Sequence, residues 1–239
     1  MNNWKNTTEN LQLPLIEATQ SQKHITINEA LTKLDATVNL VVKSANILVP
    51  PNSASEGDRY LVPAQTQHVD WTDHSGSIAL WSNGGWIFIK PFNGWKLFAE
   101  DTCKTFLYIR DTWIPNVLVA SQNSAFTQAN IFSEKHDIIA GATSTTGILI
   151  PDKSIVFGIT AHITETITGC ATIKIGVNNN LNRYGTDIST LIGSFSKSIG
   201  NPTAYYGDQN VVITAIEGRF EGQGSLLVSV HTITVGMIF

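Results

Sequence analysis

The sequence predicts a mainly β protein: an N-terminal helix with a small antiparallel β meander, then a C-terminal β-sandwich of jelly-roll type. Three observations predict it. Apolar residues recur at spacings of three and four only near the start, a helical period. From Gly57 onward the chain breaks into short β-branched and aromatic runs separated by Gly and Asn. Beyond Asp137, Thr alternates with Ile and Val, which puts one face in and one face out.

The elements follow in order. Asn28-Glu29-Ala30 reads as a capped first turn, and Leu31, Leu34, Val38 and Val41 form an apolar stripe. The predicted helix runs from about Asn28 to Lys43, and Pro50-Pro51 ends any continuation. Strands are expected at Arg59–Val62, Ser77–Trp81, Trp86–Lys90, Trp95–Phe98, Thr105–Tyr108 and Thr112–Ile114. Asn83-Gly84 and Asn93-Gly94 are hairpin signals, because a type I′ turn needs positive φ at both central residues. Residues 116–136, rich in Ser, Gln and Asn, read as a linker or neck. Ser154–Ile163, Ala171–Val177, Thr190–Ser194, Val211–Ala215 and Ser225–Val235 are the strand candidates of the sandwich. The expected organisation is an attachment segment over 1–27, a helix plus Trp-rich module over 28–115, the neck over 116–136 and the sandwich over 137–239.

The composition narrows function. The 239 residues carry 15 Lys and Arg against 19 Asp and Glu, a net charge of −4. A general nucleic-acid binder should be basic, so nucleic acid is not an expected partner. The most apolar stretch, Ile148–Ile163, is interrupted by Pro151, Asp152 and Lys153 before it reaches the roughly 18 residues a membrane span needs. The polar start, Met1–Asn10, shows no secretory signal. Cys103 and Cys170 make neither a disulfide framework nor a zinc pair.

Catalytic signatures are absent. There is no nucleophile elbow, phosphate loop, dinucleotide fingerprint or HExxH helix. His68, Asp70, Asp73 and His74 are the densest polar cluster, but their spacing matches no common ligand set and a solvated loop explains them equally. No catalytic residue, metal or cofactor is therefore expected.

Binding surfaces are easier to find. The loop Asn178–Asp187 gathers amide, guanidinium, phenol and carboxylate groups, and Thr203–Asp208 adds two tyrosines. Candidate carbohydrate contacts are Asn180, Arg183, Tyr184, Asp187, Tyr205 and Tyr206. Arg183 would donate to hydroxyls or an acidic sugar, and the tyrosines would stack on sugar faces. Trp81, Trp86 and Trp95 form an alternative aromatic platform, although filling the core of a small module is the more natural role for most of the tryptophans.

The run Leu13-Pro14-Leu15-Ile16-Glu17-Ala18-Thr19-Gln20-Ser21-Gln22-Lys23-His24, with Glu56-Gly57-Asp58-Arg59-Tyr60 and the Trp-Gly hairpins, resembles a domain family of formerly unknown function. That family occurs in tail-fibre and head-spike proteins of phages and of alphaproteobacterial gene transfer agents. The resemblance spans about residues 11–115. A looser likeness to the region that follows in those proteins rests on Ile167–Ala171, Gly176-Val177 through Asn182–Gly185, and Pro202–Tyr206. It implies a virion protein, made in the bacterial cytoplasm and acting outside after release, that attaches the particle to a host surface polysaccharide. It further implies a homo-oligomer, a trimer, with Leu31, Leu34, Val38 and Val41 near its axis and the N-terminus docked on other virion proteins. A particle-borne polysaccharide depolymerase is the alternative.

Overall fold

The computed structural model describes residues 6–16 and 23–238. Most of the expected attachment segment, including the Gln20-Ser21-Gln22 run, lies outside them. The chain forms two compact units, 1–117 and 118–239.

In the first unit, α1 spans Lys23–Thr37. It starts and stops earlier than expected. Asn28 is not its cap: the side chain bonds both backbone groups of Ile16, accepting from the N–H at 2.9 Å and donating to the carbonyl at 3.0 Å. Asn39 then takes φ of +49°, which ends the helix. The stripe is corrected accordingly. Val41 belongs to β1 (Val41–Val42), paired in parallel with β5 (Lys96–Ala99). Within α1 the stripe is Ile27, Leu31 and Leu34, with Val38 one residue past its end, and Leu31 alone of these is half-buried rather than exposed.

Two small sheets complete the unit. One orders β2 (Arg59–Leu61), β3 (Ile78–Ser82) and β4 (Gly85–Ile89); the other orders β1, β5, β6 (Lys104–Ile109) and β7 (Thr112–Pro115). Asn83 and Gly84 have φ of +52° and +76°, the turn their sequence predicts. Alternation along the strands creates two cores. Leu61 and Ile78 pack with Val42, Leu97 and Ala99. Tyr60, Val62 and Ala79 pack with Trp71.

The second unit is a jelly roll. After β8 (Val117–Ala120) come β9 (Ala125–Asp137), β10 (Thr143–Ile150), β11 (Ser154–Glu165), β12 (Cys170–Gly176), β13 (Ile188–Ser189), β14 (Phe195–Tyr205), β15 (Gln209–Gly218) and β16 (Ser225–Met237). One sheet orders β14-β11-β16-β9-β8, the other β10-β15-β12-β13. Eight strands in two four-stranded antiparallel sheets, with first beside last, are the double Greek key of that fold, and β8 extends one edge. Ile159, Ile163, Val228 and Val230 of the first sheet meet Ile173, Ile175 and Ile213 of the second in one core.

The expected neck is corrected by this arrangement. Residues 125–137 are a strand paired with β16 along their whole length. Thr190–Ser194 is not a strand either; the chain turns there, and the long β14 follows.

Candidate functional site

The loop after β12 folds back on its own strand. Tyr184 N–H donates to Ile175 O at 2.9 Å, and Ile175 N–H donates to Gly185 O at 3.0 Å. Gly176 has the backbone of Asn180 and Leu181 directly over its Cα, where no Cβ fits. Opposite, β14 carries an irregularity against β11: Gly158 faces Ile199 but Val156 faces Thr203, so residues 200–202 bulge from the ladder.

Arg183 joins the two. Its Nη2 donates to Asn201 O at 3.3 Å and to Thr203 Oγ1, while its Nε is buried without a partner among the described residues. Tyr184 is 1% exposed, and its hydroxyl meets that of Tyr205 at 2.6 Å. Burial, then the Tyr205 hydroxyl, pushes the Tyr184 phenol above its ordinary pKa. Tyr184 is therefore a core side chain and cannot stack on a sugar, and Arg183 spends its Nη2 on clamping the bulge. The Tyr184–Tyr205 hydroxyl pair closes this junction.

Outward groups remain. Asn180 and Asp187 are exposed, and Tyr206 is 83% exposed. The turn bearing Tyr206 is pinned: Gly207 N–H donates to Asp152 Oδ1 at 2.6 Å, and Asp152 N–H donates to Asp208 Oδ1 at 2.8 Å. An aromatic ring held out on a fixed turn loses little entropy on binding.

The tryptophans do not form one platform. Trp86 packs edge-on against Tyr60, Trp71 and Trp81, with centroids 5.8, 5.6 and 5.0 Å away. Trp95 packs against the other core, beside exposed Phe92. Trp71 of the polar cluster is wholly buried, His74 stacks on Phe88, and no group among the described residues could hold a metal ion.

A cleft of about 730 Å³ lies within the first unit, between the N-terminal strip, α1 and the β3–β4 hairpin. Glu56 and Gly57 of the Glu-Gly-Asp-Arg-Tyr motif line it, and each member of the motif has a structural task. The Glu56 carboxylate accepts from Ser82 Oγ at 2.6 Å and from Asn83 N–H, holding the hairpin turn. Gly57, at φ +82°, leaves room for the Glu9 side chain. Asp58 pairs with Lys43 at 2.7 Å. Arg59 donates to Ala36 O on α1 and to Asn10 Oδ1. Tyr60 enters the aromatic core.

One cluster escaped sequence reasoning. His136 lies 3.1 Å from Glu134 Oε1 through Nδ1 and 2.7 Å from Ser144 Oγ through Nε2. This is the connectivity of a nucleophile, base and orienting acid. Ser144 is 1% exposed, however, and its Oγ already accepts from Ile139 N–H at 2.9 Å. No substrate reaches it, and the three residues latch β9 to β10. Their sequence spacing of two and eight gave no signal, because β9 was read as a neck.

Residues 27–114 match the model of a family described as "Protein of unknown function (DUF2793)". No curated protein matches the chain. Among solved structures, a chain of the cyanophage Pam1 capsid asymmetric unit is similar at 17% identity and TM-score 0.34, over 48% of this chain and 90% of that one. A chain from the acidic stable capsid structure of Helicobacter pylori bacteriophage KHP30 is similar at 8% identity and TM-score 0.33, over 48% of this chain and 99% of that one. Scores below 0.5 carry no inference for this chain. The family match lies in the first unit, over the stretch that holds the Glu56–Tyr60 motif.

Proposed function

We propose that the chain is a homo-oligomeric structural protein of a phage or phage-like particle, and that it attaches the particle to a host surface glycan. The particle assignment is supported by the resemblance of residues 11–115 to tail-fibre and head-spike domains; the family match over 27–114 falls in the same stretch. The N-terminal segment then docks on other virion proteins, and α1 faces its copies in a trimer: Ile27, Leu31 and Leu34, with Val38 just past the helix end, follow the four-three-four spacing of a coiled-coil seam.

One observation carries the attachment role. The loop 178–187 is clamped onto the 200–205 segment by Arg183, and Asn180, Asp187 and Tyr206 are left outward around it. Amide and carboxylate groups suit hydroxyl rims, and a tyrosine ring suits the apolar face of a pyranose. Arg183 is thus a positioning residue rather than a sugar contact. Such sites are individually weak, about −4 kcal/mol each, and several copies gain by avidity. The protein acts by binding, not by cleavage: incubating it with capsular polysaccharide should leave chain length unchanged while the two co-sediment. Shortened chains would instead identify a depolymerase.

A further inference from the structure

One turn of the jelly roll holds large apolar side chains out in water. Between β13 and β14 the chain reads Leu191-Ile192-Gly193-Ser194-Phe195. Leu191, Ile192 and Phe195 are 62%, 66% and 67% exposed. The turn is nonetheless firmly held. Ile167 N–H donates to Thr190 O at 2.9 Å, and Ile163 N–H donates to Ser194 O at 2.8 Å. The four backbone donors of the tip are all used within the chain. Leu191 N–H donates to Ser189 Oγ at 3.3 Å and Ile192 N–H to Thr166 Oγ1 at 3.2 Å. Gly193 N–H donates to Ile163 O at 2.9 Å and Ser194 N–H to Leu191 O at 3.0 Å. A Cβ built on Gly193 would meet no atom within 4 Å among the described residues, so the tip projects into open space. Behind it, Lys197 Nζ lies 5.4 Å from the centroid of the Phe195 ring. Glu165, the last residue of β11, is paired with Lys135 at 3.2 Å.

We propose that this turn inserts into the interfacial layer of a lipid bilayer. Three arguments select lipid over a protein partner. A stable protein interface takes about 800 Å² from each side, and three side chains on a convex tip present much less. Lipid sets no such minimum, because binding grows with apolar area and with the number of copies. Next, a segment that leaves water for lipid needs its backbone donors satisfied internally. The tip meets that demand at residues 191–194, and so offers a protein partner no backbone donor there. Finally, an aromatic ring with an amine behind it suits a membrane surface, the ring in the interface and the amine at the headgroup phosphates. Two residues of strand, about 7 Å, separate Phe195 from Lys197, which agrees with an insertion depth of about 5–10 Å. The tip stands apart from the attachment loops. Strand β14 carries Phe195 at one end and Tyr205 at the other, roughly 30 Å away. The inference therefore holds or fails independently of glycan attachment.

Flotation of the full chain with vesicles of phosphatidylcholine and phosphatidylglycerol tests it. The wild type should float with the vesicles. Leu191→Ser with Ile192→Ser should lower the bound fraction at least tenfold at an unchanged thermal midpoint. Phe195→Ser is the second variant if the first does not fold, and the same loss is expected of it. A wild type that stays in the soluble fraction at millimolar lipid overturns the proposal, including one whose turn holds a second copy or another particle protein. A folded variant that floats as the wild type does also overturns it.

Discussion

Asp35 shows how one side chain organises the start of the chain. It is buried on α1, and its carboxylate accepts from Thr8 Oγ1 at 2.7 Å, Leu11 N–H at 2.6 Å and both the backbone and side-chain amides of Asn10. Burial alone would raise its pKa, but the hydrogen bonds outweigh it and the net shift is downward. A lowered folded-state value means stability that is present above the ordinary aspartate range, near pH 4, and is lost as pH falls through the folded value. Asp35→Asn should therefore lower the thermal midpoint at pH 7, and the gap to wild type should narrow progressively below pH 4. A pH-independent gap would show that charge is not what the site uses. None of this was legible in the sequence, where Asp35 is one more polar residue in a helical pattern. The Glu56–Tyr60 motif was legible only as a signature. Its tasks depend on Ser82, Asn83, Asn10 and Ala36, partners that no local reading could supply.

Elements divide by how local their causes are. The Asn83-Gly84 hairpin was readable because its turn needs two positive φ angles, a demand met within two residues. The helix ends were misread because Asn28 looks like a cap but serves Ile16, and because the apolar spacing runs past Asn39 into a strand. Strand β9 was missed for a different reason. Its inward positions include Glu134 and His136, polar residues that a sandwich tolerates only when paired. Asn130 on the same strand donates to Thr234 Oγ1 at 3.3 Å, and His136 finds Ser144. Ser144→Ala would leave His136 and Ile139 N–H without that oxygen. We expect a cost of about 1–3 kcal/mol, read as a lower urea midpoint at unchanged slope. A neutral outcome would mean that the latch does not tie β9 to β10. At the candidate site, the two loops were found in sequence, but their residues were sorted wrongly. Tyr184 and Tyr206 have the same composition signal, and only the fold puts one in the core and the other in water.

For the whole molecule, the fold class was the most legible property. A change from helical to alternating periodicity, with regular turns after residue 137, is enough to specify a helix, a meander and a sandwich. The sandwich was legible from alternating strand candidates, but its strand order was not, because β9, β10, β13 and β14 were not among those candidates. Nor was the register, since a slip of one residue would exchange the inward and outward side chains of a strand. The account of function joins these scales: a first unit that matches a family of unknown function, and a second unit whose clamped loops hold out a small set of sugar-matching groups. Its central claim is attachment through those loops. The most direct measurement compares glycan binding by the full wild-type chain with that of Asn180→Ala plus Tyr206→Ala, on host cells and on their isolated surface polysaccharide. Both positions are exposed, so oligomer mass and thermal midpoint should not change. The account predicts that attachment falls at least tenfold on both substrates. Full attachment by the folded double variant would contradict it.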